Sequence, residues 1–190
     1  MLVSKKWLNH FVKVDDIDAV ELADILTNAG LEVEHVTKSV EATNLVIGQV
    51  IACENHPDSD HLHVTKVDIQ SEILDIVCGA PNVETNQKVI VAKVGAKLPE
   101  IEIKKAKVRG VESNGMICSL LELGIDAQSL PVDSPSHHGI EVLGEEAIIG
   151  SDPLVYLGLD DTILDVSQTP NRSDFLAMSS IGKEVSALLN

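Results

Sequence analysis

The sequence predicts an α+β protein in which a small all-β unit is set inside a helical-rich domain built from both chain ends. Three observations carry that expectation. Apolar residues recur at helical spacing near both ends, in "DAVELADILTNAG" and in "FLAMSSIGKEVSALLN". From about residue 44 to 143 the pattern changes to short apolar or alternating runs, separated by the turn signals "HPDSD", "GAPN" and "SNG". The two end pieces, residues 1–39 and 152–190, are each too short to bury a core alone, so one discontinuous domain with residues 40–151 inserted is the economical arrangement.

The elements follow in order. "SKKWLNHFV" places Trp7, Leu8, Phe11 and Val12 on one helical face, with Ser4 able to accept from the first free amides. Asp18 and Glu21 stand at N-cap and N3 spacing. Leu22, Ile25, Leu26 and Ala29 form the stripe of that second helix, and Gly30 stops it. "LEVEHV" alternates and opens the strand region. "NLVIGQVIAC", "LHVTKVDI", "EILDIVC", "QKVIVAKVG" and "KKAKVRG" supply about five strands, the content of a small barrel or sandwich. Within "VESNGMICS", Asn114-Gly115 has the composition of a type I′ hairpin turn. "TILDVSQ" then reads as a strand and "TPNRSD" as a turn. The last helix carries Ala177, Ile181, Val185 and Leu188 on one face.

The charge is unevenly distributed. The chain is 190 residues long with a net charge of -16, yet seven of its 14 Lys and Arg fall between residues 88 and 110: Lys88, Lys93, Lys97, Lys104, Lys105, Lys107 and Arg109. Only Glu100 and Glu102 oppose them there. Such a strip fits a path for a nucleic-acid backbone, and equally an edge kept soluble by lysine. Residues 40–151 contain no Phe, Tyr or Trp on which a base would stack. Cys53, Cys78 and Cys118 form no paired motif and read as free thiols of a reducing compartment. With no signal-peptide pattern and no membrane-spanning run, a cytoplasmic, soluble protein is expected.

Five ordered segments, "MLVSKKWLNHFV", "LTNAGLEVE", "IVCGAPNV", "KKAKVRGVESNGMICS" and "TPNRSDFLAMSSIGKEV", resemble the N-terminal part of the bacterial phenylalanyl-tRNA synthetase β subunit. The resemblance implies a five-stranded OB-fold of the tRNA-binding type inserted into a discontinuous first domain. It also implies a fragment of a longer subunit. By the same resemblance the parent enzyme is a heterotetramer of two α and two β subunits that joins phenylalanine to its tRNA with ATP and magnesium. Its catalytic residues and cofactors lie outside this chain. The residues expected to meet tRNA, weakly and through phosphates, are Lys93, Lys97, Lys104, Lys105, Lys107, Arg109 and Asn114.

Other constellations carry less. In "CENHPDSDHLH", Cys53, His56, Asp58, Asp60, His61 and His63 are metal-ligand types without a standard spacing, whereas His-Pro followed by Asp-Ser-Asp is turn chemistry. Alternation sends His61 and His63 to one face, expected to be solvent. Cys78 lacks an activating neighbour in sequence, and no phosphate-binding glycine loop is present. Arg172 is expected to pair with a carboxylate or to reach an interface. Three function classes therefore stand side by side: a non-catalytic tRNA-binding and structural segment, a protein-interaction scaffold, and a metal-dependent hydrolase at the His-Asp turn.

Overall fold

The computed structural model describes residues 1–189. In chain order it contains β1 (Leu2–Ser4), α1 (Lys5–Leu8), α2 (Ala19–Asn28), β2 (Val33–Lys38), β3 (Leu45–Asn55), β4 (His63–Asp68), β5 (Ile73–Cys78), β6 (Lys88–Lys93), β7 (Ala106–Val108), β8 (Val111–Ser113), β9 (Gly115–Cys118), β10 (Val142–Leu143), α3 (Pro153–Leu157), β11 (Thr162–Val166) and α4 (Met178–Leu189). These form two compact units. One is Met1–Ser39 with the residues from Asp160 onward, and the other is Val40–Leu159.

The first unit is a three-stranded antiparallel sheet in the order β1-β11-β2, overlaid by helices. Its core joins residues far apart in sequence: Val3, Leu8, Leu22, Leu26, Leu164, Phe175, Ile181 and Val185 are all buried together. Asp18 accepts from the amides of Val20 and Glu21, and Gly30 follows the helix at φ +91°. The α1 helix is shorter than its periodicity predicts. Ser4 caps it by accepting from Trp7, but it ends at Leu8 because Asn9 turns back to accept from the amides of Val14 and Asp15. Leu8 is buried while Trp7 and Phe11 remain exposed.

The second unit is a curled antiparallel sheet in the order β10-β6-β3-β4-β5, with β9 also paired to β6 and the β7–β8 hairpin separate. The sheet nearly closes on itself. Between β5 and the β8–β9 segment, the Asn114 amide donates to the Asp75 carbonyl (2.8 Å) and the Val77 amide to Ser113 Oγ (3.1 Å). Alternation sorts the side chains into two clusters. Val46, Val50, Val67, Leu74, Ile76, Val89, Val91 and Ile117 fill the interior. Ile47, Ile90, Ala92 and Cys118 point the other way, into a second cluster with Leu98, Ile103, Leu123 and Leu154. The β6 strand is therefore buried on both faces. Leu154 of α3 belongs to this outer cluster, so residues 152–159 pack with the barrel rather than with the chain ends.

Candidate nucleic-acid interface

Burial decides which barrel face is open. The outer surfaces of β3, β6 and β9 are covered by the second cluster, whereas the outward residues of β4 and β5 are not: Lys66 and Ile73 are exposed and Val64, Asp68, Asp75 and Val77 are half-buried. Lys66 and Asp75, opposite in the β4–β5 register, form an ion pair at 2.9 Å. With Lys66 against Asp68 and Asp75, this face carries no net positive charge by itself. Its positive charge comes from the side, on the β7–β8 hairpin.

That hairpin differs from the sequence expectation. Its two-residue turn is Arg109-Gly110, with φ +44° and +90°, both in the left-handed region a type I′ turn requires. Asn114 and Gly115 instead join β8 to β9 in the extended chain, and neither has positive φ. Gly115 is glycine for a different reason: a Cβ there would lie 2.9 Å from the Ala92 carbonyl oxygen across the β6–β9 ladder. On the outward face of the hairpin, Lys107 stands opposite Glu112 in register, and Lys105 reaches Glu112 at 3.0 Å.

The hairpin is fastened to the His-Pro turn between β3 and β4. His56 is buried. Its Nδ1 accepts from the Asp58 amide (3.1 Å), which leaves Nε2 to donate to the Val108 carbonyl (3.2 Å). Arg109 Nη1 donates to the Asp58 carbonyl at 3.0 Å. A metal at His56 would have to break one of these bonds. Among the described residues no group of three or more His, Cys, Asp and Glu is placed to hold a metal. His61 and His63 do not share a face as the alternation predicts. His61 lies in the turn before β4, and His63 takes the inward parity of Thr65 and Val67, which face the core.

The remaining strip residues separate. Lys88 is spent inside the unit, its ammonium donating to the carbonyls of Glu145 and Ala147. Lys104 pairs loosely with Glu102 at 3.8 Å, and Lys97 faces Glu102 in an isolated bridge. Lys93 and Asn114, 21 positions apart in sequence, line one groove of about 400 Å³ with Asn44, Glu72, Ile73 and Val94. Among the described residues Lys93, Lys97 and Lys107 have no ion-pair partner within 4.0 Å. The single aromatic residue of this unit, Tyr156, packs against the outer cluster and donates its hydroxyl to Glu146. It provides no platform on the β4–β5 face. His56, Asp58 and Lys66 were not legible as parts of this region, because only the register and the turn closure bring them to it.

A curled antiparallel barrel, open on its second and third strands and flanked there by two joined loops, is the architecture of the OB-fold class that binds nucleic acids and oligosaccharides. Residues 45–141 match the family model described as "putative tRNA binding domain", and this chain belongs to that family. Over its whole length it is 48% identical to the phenylalanine–tRNA ligase β subunit of Geobacillus kaustophilus and 46% identical to that of Oceanobacillus iheyensis. The Staphylococcus aureus subunit is 47% identical, again across 100% of the chain. The chain spans only 24% of the length of these curated relatives. A MetRS-related protein from Pyrococcus horikoshii aligns over 56% of this chain and 85% of its own, at 20% identity and a TM-score of 0.39.

Among the described residues no helix is long and apolar enough to cross a membrane. At the C-terminal end, Arg172 stacks over Phe175 at 3.8 Å and pairs with Asp174 and Glu184. It therefore braces the turn before α4.

Proposed function

We propose that this chain is a non-catalytic, tRNA-binding and structural part of the β subunit of a phenylalanine–tRNA ligase. The observation that carries the reading is the 48% identity extending over the whole chain, first unit and barrel alike. In this reading Val40–Leu159 is the tRNA-docking unit, and the two terminal segments form a scaffold domain that carries it. An α subunit completes a cytoplasmic heterotetramer and supplies the ATP- and magnesium-dependent chemistry. No step of that chemistry is assigned to residues of this chain.

The interaction proposed is electrostatic. Lys93, Lys97, Lys104, Lys105, Lys107 and Arg109 meet phosphates, and Asn114 supplies an amide beside Lys93. The β7–β8 hairpin presents part of this set at the margin of the open β4–β5 face, as a backbone track would need. Glu102 and Glu112 offset part of the charge, and the net charge of -16 opposes an approaching polyanion. Modest affinity with little base preference follows.

The test is filter binding of tRNA to this chain across a salt series. Affinity that falls log-linearly with salt, and nearly alike for different tRNAs, supports the reading. Absence of binding at low salt overturns it in favour of a scaffold that does not touch RNA.

A further inference from the structure

One groove of the barrel unit combines apolar walls with polar groups that the fold leaves unpaired. It has a volume of about 400 Å³ and lies where β5 begins, β6 ends and β8 passes into β9. Ile73, on the outward side of β5, and Val94, just past β6, are its apolar walls, 57% and 44% exposed. Lys93, Asn114, Asn44 and Glu72 supply the polar lining. The backbone that presents these groups is fastened at three points. The Lys93 amide donates to the Asn44 carbonyl (3.2 Å), the Asn114 amide to the Asp75 carbonyl (2.8 Å), and Asn44 Nδ2 to the Val94 carbonyl (3.1 Å). Asn44 itself sits at φ +55°, a left-handed position that asparagine tolerates better than most residues. Lys93 and Asn114 are half-buried. Even so, among the described residues the Lys93 ammonium and the Glu72 carboxylate have no ion-pair partner, and the Asn114 carboxamide has no hydrogen-bond partner.

These groups select a ligand class. One cation and one carboxylate cancel, so the lining is not that of a site for a bare anion. A carboxamide carries both donors and an acceptor and can therefore meet the edge of any base. Lys93 offers charge for one phosphate, and Glu72 opposes a second. Ile73 and Val94 offer aliphatic cover for the face of a base, in a unit whose open surface has no aromatic platform. A base inside a duplex turns its edge to its partner, whereas an unpaired base can be splayed out into a groove. We propose that this groove receives one unpaired nucleotide of a tRNA, its phosphate on Lys93 and its base edge on Asn114. The proposal rests on the tRNA-binding reading and adds to it a preference for unpaired over paired RNA. Base identity stays open, because the carboxamide accepts more than one edge.

The experiment uses the 190-residue chain with three probes: a short single-stranded RNA, a blunt RNA duplex, and inorganic phosphate. The single strand should shift the side-chain amide resonance of Asn114, and neither the duplex nor phosphate should. Asn114→Ala should lower affinity for the single strand roughly two- to tenfold, the equivalent of one hydrogen bond, and leave duplex affinity unchanged. Lys107→Gln, on the hairpin, should weaken both. Equal losses for single strand and duplex in Asn114→Ala would make Asn114 part of a backbone track and overturn the subsite. So would an Asn114 resonance that the single strand leaves in place, or that phosphate moves equally. Binding of tRNA measured in the same buffer separates the two readings. Bound tRNA with an unmoved Asn114 resonance removes the subsite alone, whereas no tRNA binding at low salt removes the tRNA-binding reading and the subsite with it.

Discussion

His56 and Val108 are 52 positions apart, yet the imidazole Nε2 of His56 donates to the Val108 carbonyl at 3.2 Å from a buried position. The same ring accepts from Asp58, so one side chain sets both the His-Pro turn and the height of the basic hairpin beside it. The positive charge of the β7–β8 hairpin is thereby held at the margin of the open barrel face.

Replacing this buried ring removes two hydrogen bonds, one from the Asp58 amide and one to the half-buried Val108 carbonyl. His56→Ala is expected to lower stability by about 1–3 kcal/mol, read as a lower urea midpoint. The Asp58 amide should lose its protection against hydrogen exchange. Affinity for tRNA should also fall at neutral pH, although the formal charge of the folded protein is unchanged. Retained affinity in a variant that has lost Asp58 protection would show that the hairpin need not be held in place.

The hairpin cations are expected to bind phosphates with unequal weight. Lys107→Gln should weaken tRNA binding more than Lys105→Gln, because Lys105 is already paired with Glu112 at 3.0 Å. For every phosphate that a substitution leaves without its cation, the log-log salt dependence should flatten by roughly 0.7 to 0.9. Glu112→Gln should strengthen binding. Filter binding at several salt concentrations measures all three.

The turn assignment makes a distinct stability prediction. Gly110→Ala forces a side chain into φ +90°, and Gly115→Ala brings a Cβ to 2.9 Å from the Ala92 carbonyl. Each should destabilise by about 1–2 kcal/mol. Asn114→Ala should be nearly neutral for stability, since its backbone carries the bond to Asp75. A large loss from Asn114→Ala with none from Gly110→Ala would restore the Asn-Gly turn.

Burial pushes the Cys118 thiol up to about 12, from an ordinary value of 9.0, and raises Cys78 in the same direction. The unfolded chain therefore releases these protons first as pH rises. The contribution of Cys118 to stability is intact below pH 9 and is lost between about 9 and 12, at roughly 1.4 kcal/mol per pH unit in that window; Cys78 contributes with the same sign. Melting temperatures from neutral to alkaline pH should fall accordingly, and Cys118→Ala should flatten that fall. Native protein at pH 8 should resist iodoacetamide at Cys118 and react there only in urea.

Local chemistry was legible from the sequence. The Asp18 cap and the Gly30 stop depend on neighbours within a turn or two, and the structure keeps both. Of the stripe read for the last helix, Ile181 and Val185 are buried, whereas Ala177 precedes α4 in extended backbone and Leu188 is exposed. The clustering of Lys and Arg between residues 88 and 110 was equally plain. Their fates were not. Lys88 is consumed by two carbonyls near residue 146, Lys105 is paired by Glu112, and Lys93 shares a groove with Asn114 only because β6 and β9 lie side by side. Asn-Gly looked like the hairpin turn because composition reports what a pair tolerates. Ladder register decided that Arg109-Gly110 makes the turn and that Gly115 is needed for close approach to Ala92. The parity of His63 was likewise set by Thr65 and Val67 competing for the interior. Hydrogen-bond caps and periodicity act over a few residues and are written into the chain. Register, closure and ion pairing join residues tens of positions apart, and only the folded packing selects among the partners that composition allows.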